Sequence, residues 1–437
     1  MGCLRNKSGM KIDILIVYEH KVRELESALL LKQKLEDKGF IVKIVQMFWD
    51  EGLAHLKFQP KCIVVPWCYD DNNLNYFLKY KSNNMKGIKI INLHCEQISN
   101  SNALKLMIPS GLAKNVIHCA WGKYFKDLLI DNGIKQSLIL ITGSPRLDFF
   151  RSENSVISKS KKELSLKYNL NLNKKWILII GNFSYAECSK PDTKLIEAQG
   201  YKNFSEMVEI ATKTYNEIVE WIRLFFDRDN ALREKFEIIY RPHPSELISD
   251  NLKCIDEDNQ NFHVIREYAI RDWIVNSDLC FAWCSTSAVE AAFAQIPIYN
   301  LRPFEIPKEF QFSLLENIEQ ITDFKSFVNA IREYEEKTNL NYELKKTLKY
   351  YYSIEDKTTA EIMTNFITTS IDMPFGYFED KYSLAFALKK TINYLVKRLF
   401  YIVFGLNAFH GKYKKILNGY VSKKDMKDIE AKIKKIK

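Results

Sequence analysis

The run IDILIV at 12–17 is apolar at every position except Asp13. An uninterrupted apolar stretch of that length predicts a strand buried on both faces, as in a parallel sheet. The next segment, 24–38, places Leu25, Leu29 and Leu35 at helical spacing and is followed by Gly39, a residue favoured just past a helix end. Strands are predicted at 40–45, 62–66, 89–93, 115–120 and 138–142, with a helix at 123–131. After a charged segment, 148–175, the alternation resumes. Strands at 175–181, 237–240, 264–265, 279–282 and 296–299 are interleaved with helices at 204–227, 269–276 and 287–294. Alternation of this kind predicts the α/β class. The expected fold is two Rossmann-like domains facing a cleft, followed by a basic amphipathic helical tail. The expected boundaries are 1–150 for an N-terminal domain, 151–174 for a linker, 175–370 for a C-terminal domain and 371–437 for the tail.

Charge sharpens this division. The chain of 437 residues carries +10 overall, but 381–437 holds 15 Lys plus Arg against 3 Asp plus Glu, and the remainder holds 49 against 51. Basic character confined to the tail removes the main support for a nucleic-acid partner. In the tail, Leu384, Leu388, Ile392, Leu395, Leu399, Ile402 and Leu406 recur at three- and four-residue steps, with Lys389, Lys390, Lys397 and Arg398 between them. This pattern suits a helix lying in an anionic membrane surface, and equally a helix packed on the first domain. No apolar run is long enough to span. Residues 1–10 have no apolar core of the signal-peptide kind, and Asn6 stands where a myristoylation pattern after Met1-Gly2-Cys3 wants Ser or Thr, so a cytoplasmic chain is expected. Nine cysteines with no CxxC pair read as reduced core thiols rather than a disulfide framework or zinc site.

The candidate chemistry lies where strands end. Arg241-Pro242-His243-Pro244-Ser245-Glu246 follows the strand at 237–240, and the two prolines fix the direction of His243. Arg241, His243 and Glu246 are therefore candidate donor-binding groups, against a turn histidine satisfying a nearby carbonyl. Ser285, Thr286 and Ser287 begin a helix after the strand at 279–282, suited to phosphates. Glu290 is either a ribose ligand or the partner of Ser287 in a capping box. Asn182, beside Gly181, completes the donor set. In the first domain, Glu19 and Glu96 are candidate base or nucleophile, and Lys21, Arg23 and Arg146 candidate ligands for substrate anions. Arg146 could instead pair with Asp148 in an interdomain hinge. Nothing in the sequence calls for a metal or a cofactor, and Thr358–Glu361 has the spacing of a capping box.

Taken in order, EHKVRELESALLL, GSPRLD, YRPHPSE and STSAVEAAFAQIP resemble the bacterial surface carbohydrate biosynthesis family, over roughly residues 11–366. That family is similar to glycosyltransferases of the B fold and to Kdo transferases of capsule and O-antigen assembly, which implies a glycosyltransferase-B-like fold with the N-terminal domain as acceptor domain and the C-terminal domain as nucleotide-sugar domain. The resemblance implies a nucleotide-sugar substrate, with His243 and Ser285 to Ser287 on the donor phosphates and Glu290 on the nucleotide. An HP element with a later Ser/Thr cluster is also shared with bacterial sialyltransferases and polyol-phosphate transferases, which implies a cytidine-linked donor such as CMP-Kdo. The family carries an acidic cluster where this chain has His94-Cys95-Glu96-Gln97, of which only Glu96 is acidic. The expected acceptor is a glycan or a lipid-linked glycan at the inner face of the cell membrane. A CDP-alditol-dependent polyol-phosphate transferase, a non-catalytic membrane scaffold of polysaccharide assembly and, less favoured, a nucleotide-sugar epimerase remain as alternatives.

Overall fold

The computed structural model describes residues 9–97, 100–186, 193–228, 230–243, 246–267, 269–334, 342–353, 356–404 and 421–436. The Met1-Gly2-Cys3 start, Pro244, Ser245 and Leu406 lie outside them. The chain forms two compact units. One draws on 1–97, 106–149 and 350–437, the other on 98–105 and 150–349.

The first unit is built on β1 (Met10–Tyr18), β2 (Val42–Gln46), β3 (Phe58–Val65), β4 (Ile88–Asn92), β5 (Ile117–Ala120) and β6 (Ile139–Ile141). They run parallel in the order β2-β1-β3-β4-β5-β6. Alternate residues of β1 supply two cores: Leu15 and Val17 pack on one face, Ile14 and Ile16 on the other. That is why the strand is apolar throughout. β3 begins four residues before the expected start and contains Pro60. β4 pairs with it only from Cys62 onward, so the proline falls at a strand margin where it is tolerated.

The second unit holds β7 (Lys175–Ile180), β8 (Phe236–Arg241), β9 (Phe262–Val264), β10 (Leu279–Ala282), β11 (Ile298–Leu301) and β12 (Gln320–Ile321), all parallel, in the order β12-β11-β10-β7-β8-β9. Counted from β7 this is the Rossmann order, with its reversal point between β7 and β10. The helix Phe204–Arg228 covers one face, burying Tyr215, Trp221, Ile222 and Phe225 against Ile177, Ile179 and Phe281. Cys62, Cys119 and Cys280 are strand residues in the two cores, and burial pushes the thiols of Cys62 and Cys119 up to about 12.

The boundaries expected at 175–370 and 371–437 are corrected by the structure, because the chain rejoins the first unit near Tyr350. Ser353 N–H donates to the Trp121 carbonyl at 2.6 Å. The helix Thr359–Ser370, opened by the anticipated Thr358–Glu361 capping box, buries Met363 and Ile367 beside Ile14, Ile16 and Leu31. Asp148 caps the same helix, accepting from Thr359 N at 2.8 Å and Ala360 N at 3.1 Å. A short β13 (Tyr377–Phe378) then pairs antiparallel with β4. The expected linker also belongs to a unit: the helix Lys161–Tyr168 buries Leu164, and Lys161 pairs with Asp278 in the second unit. Helical periodicity marks an apolar face but not the sheet it will cover. Ile367→Ala should cost about 2–5 kcal/mol by cavity formation, seen as a lower melting temperature; an unchanged value would detach this helix from the first core.

The tail helix Leu384–Phe404 packs on the helix Glu51–Lys57. A Cβ at Gly52 would stand 2.5 Å from the Lys390 carbonyl oxygen and 2.6 Å from Tyr394 Cβ, so only glycine allows the two backbones this close. Ala387 and Tyr394 are buried, whereas Leu388, Ile392, Leu395, Leu399 and Ile402 are exposed. No helix among the described residues is long and apolar enough to cross a membrane.

Candidate functional site

In the second unit the carboxyl ends of β10, β7 and β8 lie side by side, which is where ligands bind in open α/β sheets. β7 runs into Gly181-Asn182-Phe183. On one side, Asn182 Nδ2 donates to the Cys284 carbonyl at 2.7 Å, tying the end of β7 to the turn after β10. Cys284 takes a left-handed φ of 46°, which swings the chain from β10 toward Ser285. Phe183 stacks on Trp283 with ring centroids 4.4 Å apart. The Ser285 hydroxyl accepts from Ser287 N at 3.2 Å, and the hydroxyls of Thr286 and Ser287 make no hydrogen bond to another described residue.

On the other side stands the turn after β8. Glu246 is buried, and its carboxylate accepts from Tyr240 Oη at 2.5 Å, Phe183 N at 3.1 Å and His243 N at 3.0 Å. A Cβ on Gly181 would meet Glu246 Oε2 at 2.7 Å, so glycine is what lets this carboxylate reach β7. Burial raises the Glu246 pKa, opposed by these hydrogen bonds. With three protein donors on it, the Glu246 carboxylate, expected to bind donor, holds the turn. Arg266 donates to the His243 carbonyl at 3.0 Å, and also to the Glu246 carbonyl. His243 is thus held through both its N–H and its C=O. Arg241 is buried and directs its guanidinium to the carbonyls of Ile265 (3.4 Å) and Pro242 (3.5 Å); burial, then Arg266, lowers its pKa to about 10.

The capping box between Ser287 and Glu290 is also corrected. The cap position is Thr286 and Ser287 is the first helical residue, so Glu290 is one place too far along for the reciprocal bond. Glu290 is buried. Two basic residues were not anticipated. Arg266 follows β9, and Arg302 follows β11, buried close enough to Cys284 to act on its thiol. Both sit one or two residues past short strands, and that position was the available signal.

In the first unit the order reverses between β1 and β3, and Glu19 lies at that point. Trp67 Nε1, from the end of β3, donates to Glu19 Oε2 at 2.7 Å; Gln46 Nε2 donates to the Glu19 carbonyl at 2.8 Å. His20 Nε2 is 3.6 Å from Glu19 Oε1. Lys21 opens a wide, π-helical turn, Lys21–Leu25, ahead of the helix Glu26–Glu36. Arg23 and Glu96, expected as an anion ligand and a catalytic carboxylate, form an ion pair with each other. Arg146 stacks on Trp121, its guanidinium carbon 5.5 Å from the ring. Sequence reasoning passed over Glu24, whose carboxylate accepts from Glu19 N at 2.7 Å. Burial raises Glu24 to about 7, opposed by that N–H. A carboxyl raised in the folded state stabilises below its ordinary range, and the contribution is lost as pH climbs through about 7. The melting temperature of the wild type relative to Glu24→Gln should therefore fall between pH 4.5 and 7.5; a difference that stays constant would place Glu24 in solvent.

No protein-family model matches the sequence, and no curated protein does. Solved structures do match in shape: the chain has the two-domain glycosyltransferase-B-like fold. The wall teichoic acid polymerase TagF soaked with CDPG aligns with TM-score 0.54 at 10% identity, over 84% of this chain and 90% of that one. A Listeria monocytogenes protein described as a UDP-N-acetylglucosamine 2-epimerase gives 0.53 at 13%, over 84% and 100%. The Neisseria meningitidis UDP-GlcNAc 2-epimerase bound to UDP-GlcNAc gives 0.50 at 12%, over 83% and 100%.

Proposed function

We propose that this chain is a glycosyltransferase of surface-polymer synthesis, using a nucleotide-linked sugar, with cytidine as the nucleotide and Kdo or a related acid sugar as the group transferred. The proposal rests on one observation: the His243 turn and the turn leading into Ser285–Ser287 flank the same strand end, Gly181-Asn182-Phe183, which bonds to Glu246 in the first and to Cys284 in the second. Imidazole, hydroxyls and backbone N–H groups carried by turns on the two sides of β7, beside the reversal point of a Rossmann sheet, would suit the phosphate of a nucleotide, and Arg302, near Cys284, would add a cation. The nucleotide-sugar is the substrate, with no cofactor assigned. In the first unit Glu19, oriented by Trp67, is the preferred base for the acceptor hydroxyl, with Glu24 beside it as the carboxyl tuned near neutrality. Glu96 is the weaker choice, since Arg23 already holds it.

The acceptor is a glycan or glycolipid at the inner membrane face. Support comes from the helix Leu384–Phe404, whose exposed Leu388, Ile392, Leu395 and Leu399 alternate with Lys389 and Arg398. A second reading, transfer of a polyol phosphate from a CDP-alditol, is favoured by the match to TagF soaked with CDPG. Turnover with CMP-Kdo, a CDP-alditol and a UDP-sugar decides between them. CMP release from the first supports sugar transfer; CMP release from the CDP-alditol supports the second reading. Turnover of none of the three, with no nucleotide bound, leaves a non-catalytic scaffold.

A further inference from the structure

A cavity of about 440 Å³ opens in the first unit beyond the carboxyl ends of β2 and β3. Its walls come from the segments just past those strands, from the helices Glu51–Lys57 and Asp71–Phe77, and from the inner face of the tail helix. The volume suits one sugar with a phosphate. Trp49, Trp67 and Tyr394 line it with ring surface. Glu51 is 2% exposed; its Oε2 accepts from Tyr76, and its Oε1 is buried 3.7 Å from His55 Nε2, away from the open space.

Two cations face the same space. Lys390 Nζ is 3.0 Å from Tyr76 Oη, and Lys397 Nζ is 3.3 Å from the Phe48 carbonyl. Burial, then the neighbouring Lys390, holds Lys397 below its ordinary range. Two ammonium groups against one carboxylate leave the cavity positive, a setting for an anion. Trp67 also carries the hydrogen bond to Glu19, so one wall of the cavity is shared with the preferred base. The helix that contributes Lys390, Tyr394 and Lys397 to the lining turns Leu388, Ile392, Leu395 and Leu399 outward. A lipid surface meeting those residues would be one helix diameter, roughly 10 Å, from the cavity.

We propose that this cavity is a binding site for a phosphate-bearing sugar, with Lys390 and Lys397 on the phosphate and the indole and phenol rings on the sugar face. The inference rests on the transferase reading above and names the acceptor class for it. The phosphate can belong to a lipid-linked sugar or to a free sugar phosphate.

The test is calorimetric titration of the full chain with N-acetylglucosamine 1-phosphate, N-acetylglucosamine and inorganic phosphate. A further arm uses a prenyl-phosphate-linked N-acetylglucosamine in phosphatidylglycerol vesicles. The sugar phosphate should bind at least about tenfold more tightly than sugar or phosphate alone. Lys390→Ala/Lys397→Ala should weaken it about tenfold or more at an unchanged melting temperature. Tyr394→Phe, which keeps the ring, should retain affinity. Tighter binding in the vesicle arm assigns the lipid-linked source, and equal binding the free one. No binding of either sugar phosphate, or a double variant equal to wild type, overturns the site. CDP and UDP titrations of the wild-type chain run alongside: their failure removes the donor reading while leaving the sugar-phosphate result standing on its own.

Discussion

His243→Ala is expected to lower transfer by about 100- to 1000-fold, the range seen when one donor to a developing charge is removed, with the melting temperature unchanged. The side chain is half-buried at a turn held by main-chain bonds. Its own N–H goes to Glu246 and its own carbonyl to Arg266, so the backbone stays in place when the ring is lost. His243→Asn, which can still donate a hydrogen bond, should recover part of the rate. Turnover with the preferred nucleotide donor, with melting measured on the same samples, checks this. Transfer at the wild-type rate would take His243 out of the donor site.

Glu246→Ala should have the opposite signature. Three donors, Tyr240 Oη, Phe183 N and His243 N, lose their acceptor in a buried place. Each buried donor left unpaired costs about 1–3 kcal/mol, and because the three share one site the sum falls short of additive. A loss of about 3 kcal/mol or more is expected, with nucleotide affinity lost together with stability. Glu246→Gln keeps an acceptor oxygen and should fall between. Denaturant unfolding gives the cost directly. A variant that keeps its stability but loses nucleotide binding would return Glu246 to the role of a donor ligand.

These two residues, three apart in one motif, show what the sequence carried and what it did not. The strand before them, the alternation around them and the helix at 123–131 follow from local periodicity. The structure has β10 at Leu279–Ala282 and that helix at Lys123–Asp131. The placement of chemistry after strands follows from fold topology, so Glu19, Asn182, His243 and Ser285 could be singled out. The division of labour inside the motif could not. Whether a carboxylate meets a ligand or three protein donors depends on Gly181 and Phe183, some sixty residues away in the chain. Likewise, Arg23 and Glu96 become partners only when β1 and β4 share a sheet. The return of the chain near Tyr350 depends on which core Met363 and Ile367 find. Glu24 looked like one charge in a solvated run, and only the packing around the turn Lys21–Leu25 sets its titration near neutrality.

The most direct test of the account is backbone amide exchange in the full chain, with and without saturating CDP, UDP or CMP. The prediction is slowed exchange at Gly181–Phe183, at His243 and at Ser285–Ser287 together, for the nucleotide that binds. Binding that leaves these three segments unchanged, or that slows only one of them, would contradict it.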